Sequence, residues 1–158
     1  MGSLWKAWEG EMFNSIVVGT DGSSTATQAV REAVDMAKAV GATLELVSAY
    51  APASEQRLRT EKRDAPKDLQ WAINPRREVE ASLTDAADIA REAGVNANTH
   101  ARQGDPADAI LEVAEEQNAD LVILGNKGMT GAKRFLLGSV PDKVSHHAPC
   151  SVLIVHTT

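Results

Sequence analysis

The chain has 158 residues, with 16 Lys+Arg against 22 Asp+Glu and a formal net charge of −6. A hydrophobic fraction of 43% with 24% charged residues excludes a disordered or fibrous chain, and at this length a single domain buries roughly 70% of its unfolded surface. One cysteine, Cys150, excludes an internal disulfide or a thiolate metal cluster, and the acidic balance argues against nucleic acid as a general partner.

No apolar run approaches the ~20 residues that span a bilayer, and the first residues lack a signal-peptide pattern, so a cytoplasmic protein with no membrane partner is expected. The charge is uneven. Residues 1–124 hold 12 basic and 21 acidic side chains, whereas residues 125–158 hold Lys127, Lys133, Arg134 and Lys143 against Asp142 alone, a local balance of +3.

Residues 1–11 carry Trp5 and Trp8 without periodicity and are expected to be an extension without order, with one domain over 12–158. Ile16-Val17-Val18 is a short β-branched run stopped by Gly19-Thr20-Asp21-Gly22, which reads as a buried strand and its turn. Thr25 and Gln28 have the form of a capping box, and Ala26, Val30, Ala33, Val34 and Ala37 recur at helical spacing as far as Gly41. Thr43 to Tyr50 predicts the second strand. The segment 51–75 holds three of the six prolines and predicts a long loop. Val79, Leu83, Ala86, Ala87 and Ala90 mark an amphipathic helix closed by Gly94, and 95–102 is a polar strand suited to a sheet edge. Gly104-Asp105-Pro106 opens a helix reaching about Asn118, with Asp105 as cap. Leu121-Val122-Ile123-Leu124 is the strongest strand signal. A glycine-bearing loop from Gly125 to Gly138, a short helix opening at Ser139 and the strand Val152-Leu153-Ile154-Val155 complete the chain.

This alternation predicts an α/β fold: a single doubly wound five-stranded parallel sheet of order 3-2-1-4-5, Rossmann-like or flavodoxin-like. In that order the winding reverses between the first and fourth strands, where open α/β sheets bind ligands outside the strands' carboxyl ends. Gly19, Thr20 and Asp21 after the first strand, and Leu124 and Gly125 at the end of the fourth, therefore line the expected site.

Gly125-Asn126-Lys127-Gly128, nine residues, then Gly138-Ser139 is the most specific pattern in the chain. Glycines let a backbone approach an anion, and a helix opening at Ser139 directs N–H groups and a positive dipole end toward it. Lys127, Lys133 and Arg134 add positive charge. The competing reading is that each glycine merely serves a turn. The dinucleotide fingerprint G-x-G-x-x-G is absent after the first strand, and no P-loop pattern occurs.

The Gly-x2-Gly-x9-Gly-Ser pattern, the Val-Gly-Thr-Asp-Gly-Ser start and the Val-Leu-Ile-Val ending together resemble the universal stress protein family, from Phe13 to Thr158 apart from the 51–75 loop. The resemblance implies binding of ATP or a related adenine nucleotide and a regulatory role in the stress response. By position, Gly125, Gly128, Gly138 and Ser139 would hold phosphates and ribose with Val140 beside them. Asp21 would lie near adenine and ribose, with a possible role for it through Mg²⁺, and Val47 would meet adenine through its backbone. The final stretch is similar to an actinobacterial branch in which some members bind cyclic AMP, so AMP and cyclic AMP stand beside ATP. The apolar last strand would make an awkward edge and is expected to pair with a second copy, giving a homodimer.

No catalytic constellation is visible, so two further classes remain: a slow Mg-dependent ATPase or phosphotransferase using Asp21, and a nucleotide-free interaction module. A receiver domain shares the strand order but needs paired acids, and Asp21 stands alone. Of the other candidates, His146-His147 lacks the i,i+4 spacing of helical metal ligands and reads as a solvated helix end. Cys150 reads as a boundary residue. His100 is without partners in the sequence pattern, and Trp71 reads as surface packing within the loop.

Overall fold

The computed structural model describes residues 13–51, 74–126 and 137–157. Strand β1, Ser15–Gly19, carries three consecutive fully buried residues, Ile16, Val17 and Val18. A strand apolar on both faces must be covered on both, and so it occupies the centre of the sheet. Helix α1 spans Ser24–Val40, β2 Thr43–Tyr50, α2 Pro75–Glu92, β3 Ala97–Gln103, α3 Pro106–Glu116, β4 Leu121–Gly125, α4 Ser139–His147 and β5 Ser151–Val155. All pairings are parallel and the order is β3-β2-β1-β4-β5, with the winding reversal between β1 and β4.

The period of two along each strand sorts the core into two layers. Ile16, Val18, Leu44, Leu46, Leu121 and Ile123 face α1 and α2, meeting Val30, Val34, Leu83 and Ala90. Val17, Val47, Val122 and Leu124 face α3 and α4, meeting Ile110, Val113 and Val144. Leu46 is fully buried at the middle of the first layer.

Three local expectations shift. Helix α1 begins at Ser24, capped by Ser23, whose hydroxyl accepts the Ala26 N–H at 3.2 Å, so the Thr25–Gln28 capping box is displaced by a cap two residues earlier. Helix α3 stops at Glu116, because Asn118 adopts a left-handed φ of 50°. His100 does have a partner: its Nε2–H donates to Glu45 Oε2 at 2.7 Å, and Asn98 Nδ2 donates to Glu45 Oε1 at 3.1 Å. Three polar residues on adjacent strands thus satisfy one another on a face otherwise given to the second core layer. Glu45 is read as an ordinary centre-of-strand residue from the sequence, and only the register, Glu45 opposite Asn98, brings the trio together.

Asp105 caps α3 as expected, accepting the Asp108 N–H at 3.1 Å. That bond first, and then Lys143, holds its carboxyl below the usual carboxylate range. Lys143, on α4, also reaches Asp108 at 2.8 Å and so joins the two helices covering this face. Asp105→Ala should cost about 1 kcal/mol at neutral pH, whereas Asp105→Asn preserves the cap. Folding lowers the Asp105 pKa, so its ionic contribution is fully present above the unfolded value near 4 and is lost as pH falls through the lower folded value. Urea titrations should therefore show the wild type's excess over Asp105→Asn shrinking below about pH 4; an excess independent of pH would refute the assignment.

Candidate functional site

The winding reverses between β1 and β4, and the ligand position of such a sheet lies outside the carboxyl ends of these two strands. Gly19, the last residue of β1, pairs with Val47 of β2. A Cβ on Gly19 would lie 2.6 Å from Ile110 Cδ1 and 2.8 Å from Leu124 Cδ2, so this glycine lets α3 and β4 close against β1. Thr20 anchors the turn: its N–H donates to the Val47 carbonyl at 2.9 Å and its Oγ1 accepts the Gly22 N–H at 3.1 Å. Asp21 is exposed, and its Oδ1 accepts the Ser23 N–H at 2.9 Å. Gly22 has φ +80° and a Cβ there would lie 2.6 Å from Ser82 Oγ, so the turn sits directly on α2.

Val47 itself is spent. Its side chain is 1% exposed in the second core layer, and its carbonyl holds Thr20. In a parallel ladder the two backbone groups of a residue face the same neighbouring strand. Leu44 N–H and Tyr50 C=O bond on the β3 side, to Asn96 C=O and Gly104 N–H at 2.9 Å each, so even positions of β2 face β3 and odd positions face β1. Because β1 ends opposite Val47 while β2 continues to Tyr50, Ala49 presents its N–H and C=O beyond the end of β1. The free backbone edge of β2 is at Ala49, two residues past the position that family resemblance suggests. Nothing in the sequence marks it, since it depends on β2 outlasting β1.

On the β4 side, Leu124 is buried and packs in the second core layer, and Gly125 pairs with Val155. Lys127 and Gly128 lie outside the described residues, as do Lys133, Arg134 and Trp71. The chain returns at Gly138, whose N–H donates to Asn126 C=O at 2.9 Å, closing the mouth of the intervening segment. Gly138 is the N-cap of α4 and Ser139 its first residue; no side chain caps this helix. Ser139 therefore does not serve as the cap. With Pro141 lacking an N–H, the backbone donors of the opening turn are those of Ser139 and Val140. Val140 is half-buried against the second layer.

Asn126 is the residue that sequence reasoning passed over. Its N–H donates to Val155 C=O at 2.9 Å, and its Oδ1 accepts both the N–H of Thr157 at 2.8 Å and the Thr157 hydroxyl at 2.9 Å. As for cations, Asp21 offers a single carboxylate, and among the described residues no three His, Cys, Asp or Glu side chains gather into a metal site. Such a donor set fits Mg²⁺ only as one ligand beside phosphate and water oxygens. His146 Nδ1–H donates to Asp142 C=O at 2.8 Å within α4, as at a solvated helix end. Burial pushes the Cys150 thiol up, with Asp120 adding to it, so Cys150 is not poised as a nucleophile. A small cleft of about 80 Å³ lies on the other side of Thr20, lined by Gly22, Thr27, Ser82 and Asp85. Its size suits water and not a nucleotide.

The sheet order, its winding reversal between β1 and β4 and the helices on both faces define a doubly wound α/β domain, a class in which ligands sit at the switch point. The profile of the universal stress protein family matches residues 12–156, and the chain belongs to that family. Universal stress protein Rv1636 of Mycobacterium tuberculosis is 39% identical over 147 residues, covering 92% of this chain and 98% of the relative. Universal stress protein MJ0531 of Methanocaldococcus jannaschii is 33% identical, covering 91% and 82% respectively. A crystal structure of a universal stress protein in complex with cAMP superposes with a TM-score of 0.70 at 36% identity, covering 94% of this chain and all of the other. Among the described residues no helix is long and apolar enough to cross a membrane.

Proposed function

We propose that the protein binds an adenine nucleotide, ATP foremost, outside the carboxyl ends of β1 and β4, and acts by that binding as a regulatory protein of the stress response. The observation that carries this reading is the Gly125–Ser139 segment: it starts at the end of β4, returns at Gly138 and delivers the uncapped Ser139 and Val140 N–H groups at the start of a helix. These are anion-binding features at the fold's ligand position. Gly125, Gly128, Gly138, Ser139 and Lys127 hold the phosphates; Asp21 contacts the ribose and would be the carboxylate available to hold Mg²⁺, which would supply neutralising charge for the phosphates. The adenine edge meets the Ala49 backbone in place of Val47.

Cyclic AMP is the second reading, supported by the 36%-identical relative in complex with it. Calorimetric titration with ATP, AMP and cyclic AMP separates the two, and Gly128→Val should abolish binding with the fold intact; unchanged affinities in that variant would sink the proposal. A slow ATPase would instead show turnover that vanishes in Asp21→Ala while binding survives, and a nucleotide-free module would titrate with nothing. The single thiol fits a reducing cytoplasm.

We also propose that β5 pairs with the β5 of a second copy. It is an edge strand with Leu153 36% exposed, and Leu137 nearby in sequence to α4 is 42% exposed. An apolar edge with unpaired backbone groups is a template for strand pairing. Sedimentation should give a dimer at micromolar concentration, and a monomer would overturn this.

A further inference from the structure

We propose that Asn126, held by Thr157, is the positioning residue that fixes the mouth of the nucleotide segment to the end of β5; the proposal rests on the nucleotide reading above. Three parts of the chain converge on Asn126. It continues β4 by donating its N–H to Val155 C=O at 2.9 Å, and it receives the Gly138 N–H on its C=O at 2.9 Å. Its side-chain Oδ1 receives the N–H and the hydroxyl of Thr157 at 2.8 and 2.9 Å.

The Thr157 N–H selects one orientation of the amide, because an NH₂ group in place of Oδ1 could not accept it, and the Thr157 hydroxyl then donates to the same oxygen. The side chain is therefore locked, and with it the backbone carbonyl that holds Gly138. Gly138 is the residue from which α4 opens, so its position sets where the Ser139 and Val140 N–H groups lie. Binding at fixed donors gains when the donors are held in place before the ligand arrives. Thr157 lies two residues past β5, so a change in pairing at the β5 edge reaches the nucleotide donors through two hydrogen bonds and one residue.

The test uses Asn126→Ala, Thr157→Val and Thr157→Ser in the full chain, with ATP as probe and amide hydrogen exchange at Gly138 as a readout that needs no nucleotide. Each lost side-chain hydrogen bond corresponds to roughly a fivefold change. Asn126→Ala should weaken ATP binding about 10- to 30-fold and Thr157→Val about fivefold, while Thr157→Ser, which keeps the hydroxyl, stays within about twofold of wild type. Gly138 exchange should accelerate in the first two variants, and the amides of the β1–β2 ladder should be unchanged. Wild-type ATP affinity in Asn126→Ala, or unchanged Gly138 exchange, would overturn the proposal. Failure of the wild type to bind any adenine nucleotide would overturn the functional reading instead, and Gly138 exchange would still decide whether Asn126 anchors the segment.

Discussion

Replacing His100 with alanine should destabilise the protein by about 3 kcal/mol, the low end expected when a buried carboxylate loses its partner. The Glu45 side chain is 5% exposed and that of His100 15%. Glu45 lies between Val17 of β1 and Asn98 of β3 in the register and faces the layer built from Val47, Ile110 and Val113. Water does not replace a donor removed there. Asn98 remains to donate to Oε1, which keeps the loss from the upper end of the range. The penalty belongs to the orphaned carboxylate and not to the loss of imidazole packing alone, and a second variant separates the two. Glu45→Leu combined with His100→Leu removes both polar partners and should recover most of the lost stability, because an apolar pair of similar volume on a core face is often neutral or better. Urea denaturation of the single and double variants measures the difference; a double variant as unstable as His100→Ala would mean that packing, not the buried charge, dominates.

The same trio shows where sequence reading stops. Strands β1 and β4 were legible because their apolar runs are continuous, β2 because Leu44, Leu46 and Val47 outweigh the Glu45 between them, and β3 as an edge because its residues are polar; together with the helix periodicities these pointed to the order β3-β2-β1-β4-β5. The position of the site followed from that order. Contacts that depend on register were not legible: His100 reads as partnerless until Asn98 is set opposite Glu45, fifty-odd positions away in the chain. Ala49 is concealed for the same reason, since its backbone is free only because β1 stops at Gly19. Asn126 carries no signal of its own between two glycines and a lysine, and its role appears once Thr157 is brought beside it. Gly19 was legible as a glycine at the turn after β1, but that a Cβ there would collide with Ile110 and Leu124, so that packing also requires a glycine, depends on the tertiary fold.

Adding ATP at 100 times its dissociation constant should stabilise the fold by about 2.7 kcal/mol, by mass action on the folded state alone. For a domain of this size that raises Tm by about 5–10 °C. Gly128→Val should erase the shift and leave the unliganded Tm in place, because its side chain blocks the approach of a phosphate to the backbone. The base adds a second criterion. An N–H and a C=O offered side by side, as at Ala49, match the N1 acceptor and the 6-amino donor of adenine. Guanine presents a donor at N1 and an acceptor at O6, the reverse order, and would leave both backbone groups unpaired against like groups. GTP at the same concentration should therefore shift Tm by a small fraction of the ATP value, with affinity at least about tenfold lower. If GTP and ATP shift Tm equally while Gly128→Val abolishes both shifts, the phosphate site stands and the base does not meet Ala49. Should ATP, AMP, cyclic AMP and GTP all leave the Tm unmoved at saturating concentration, the site between β1 and β4 is not a nucleotide site, and the nucleotide-free interaction module is the reading that stands.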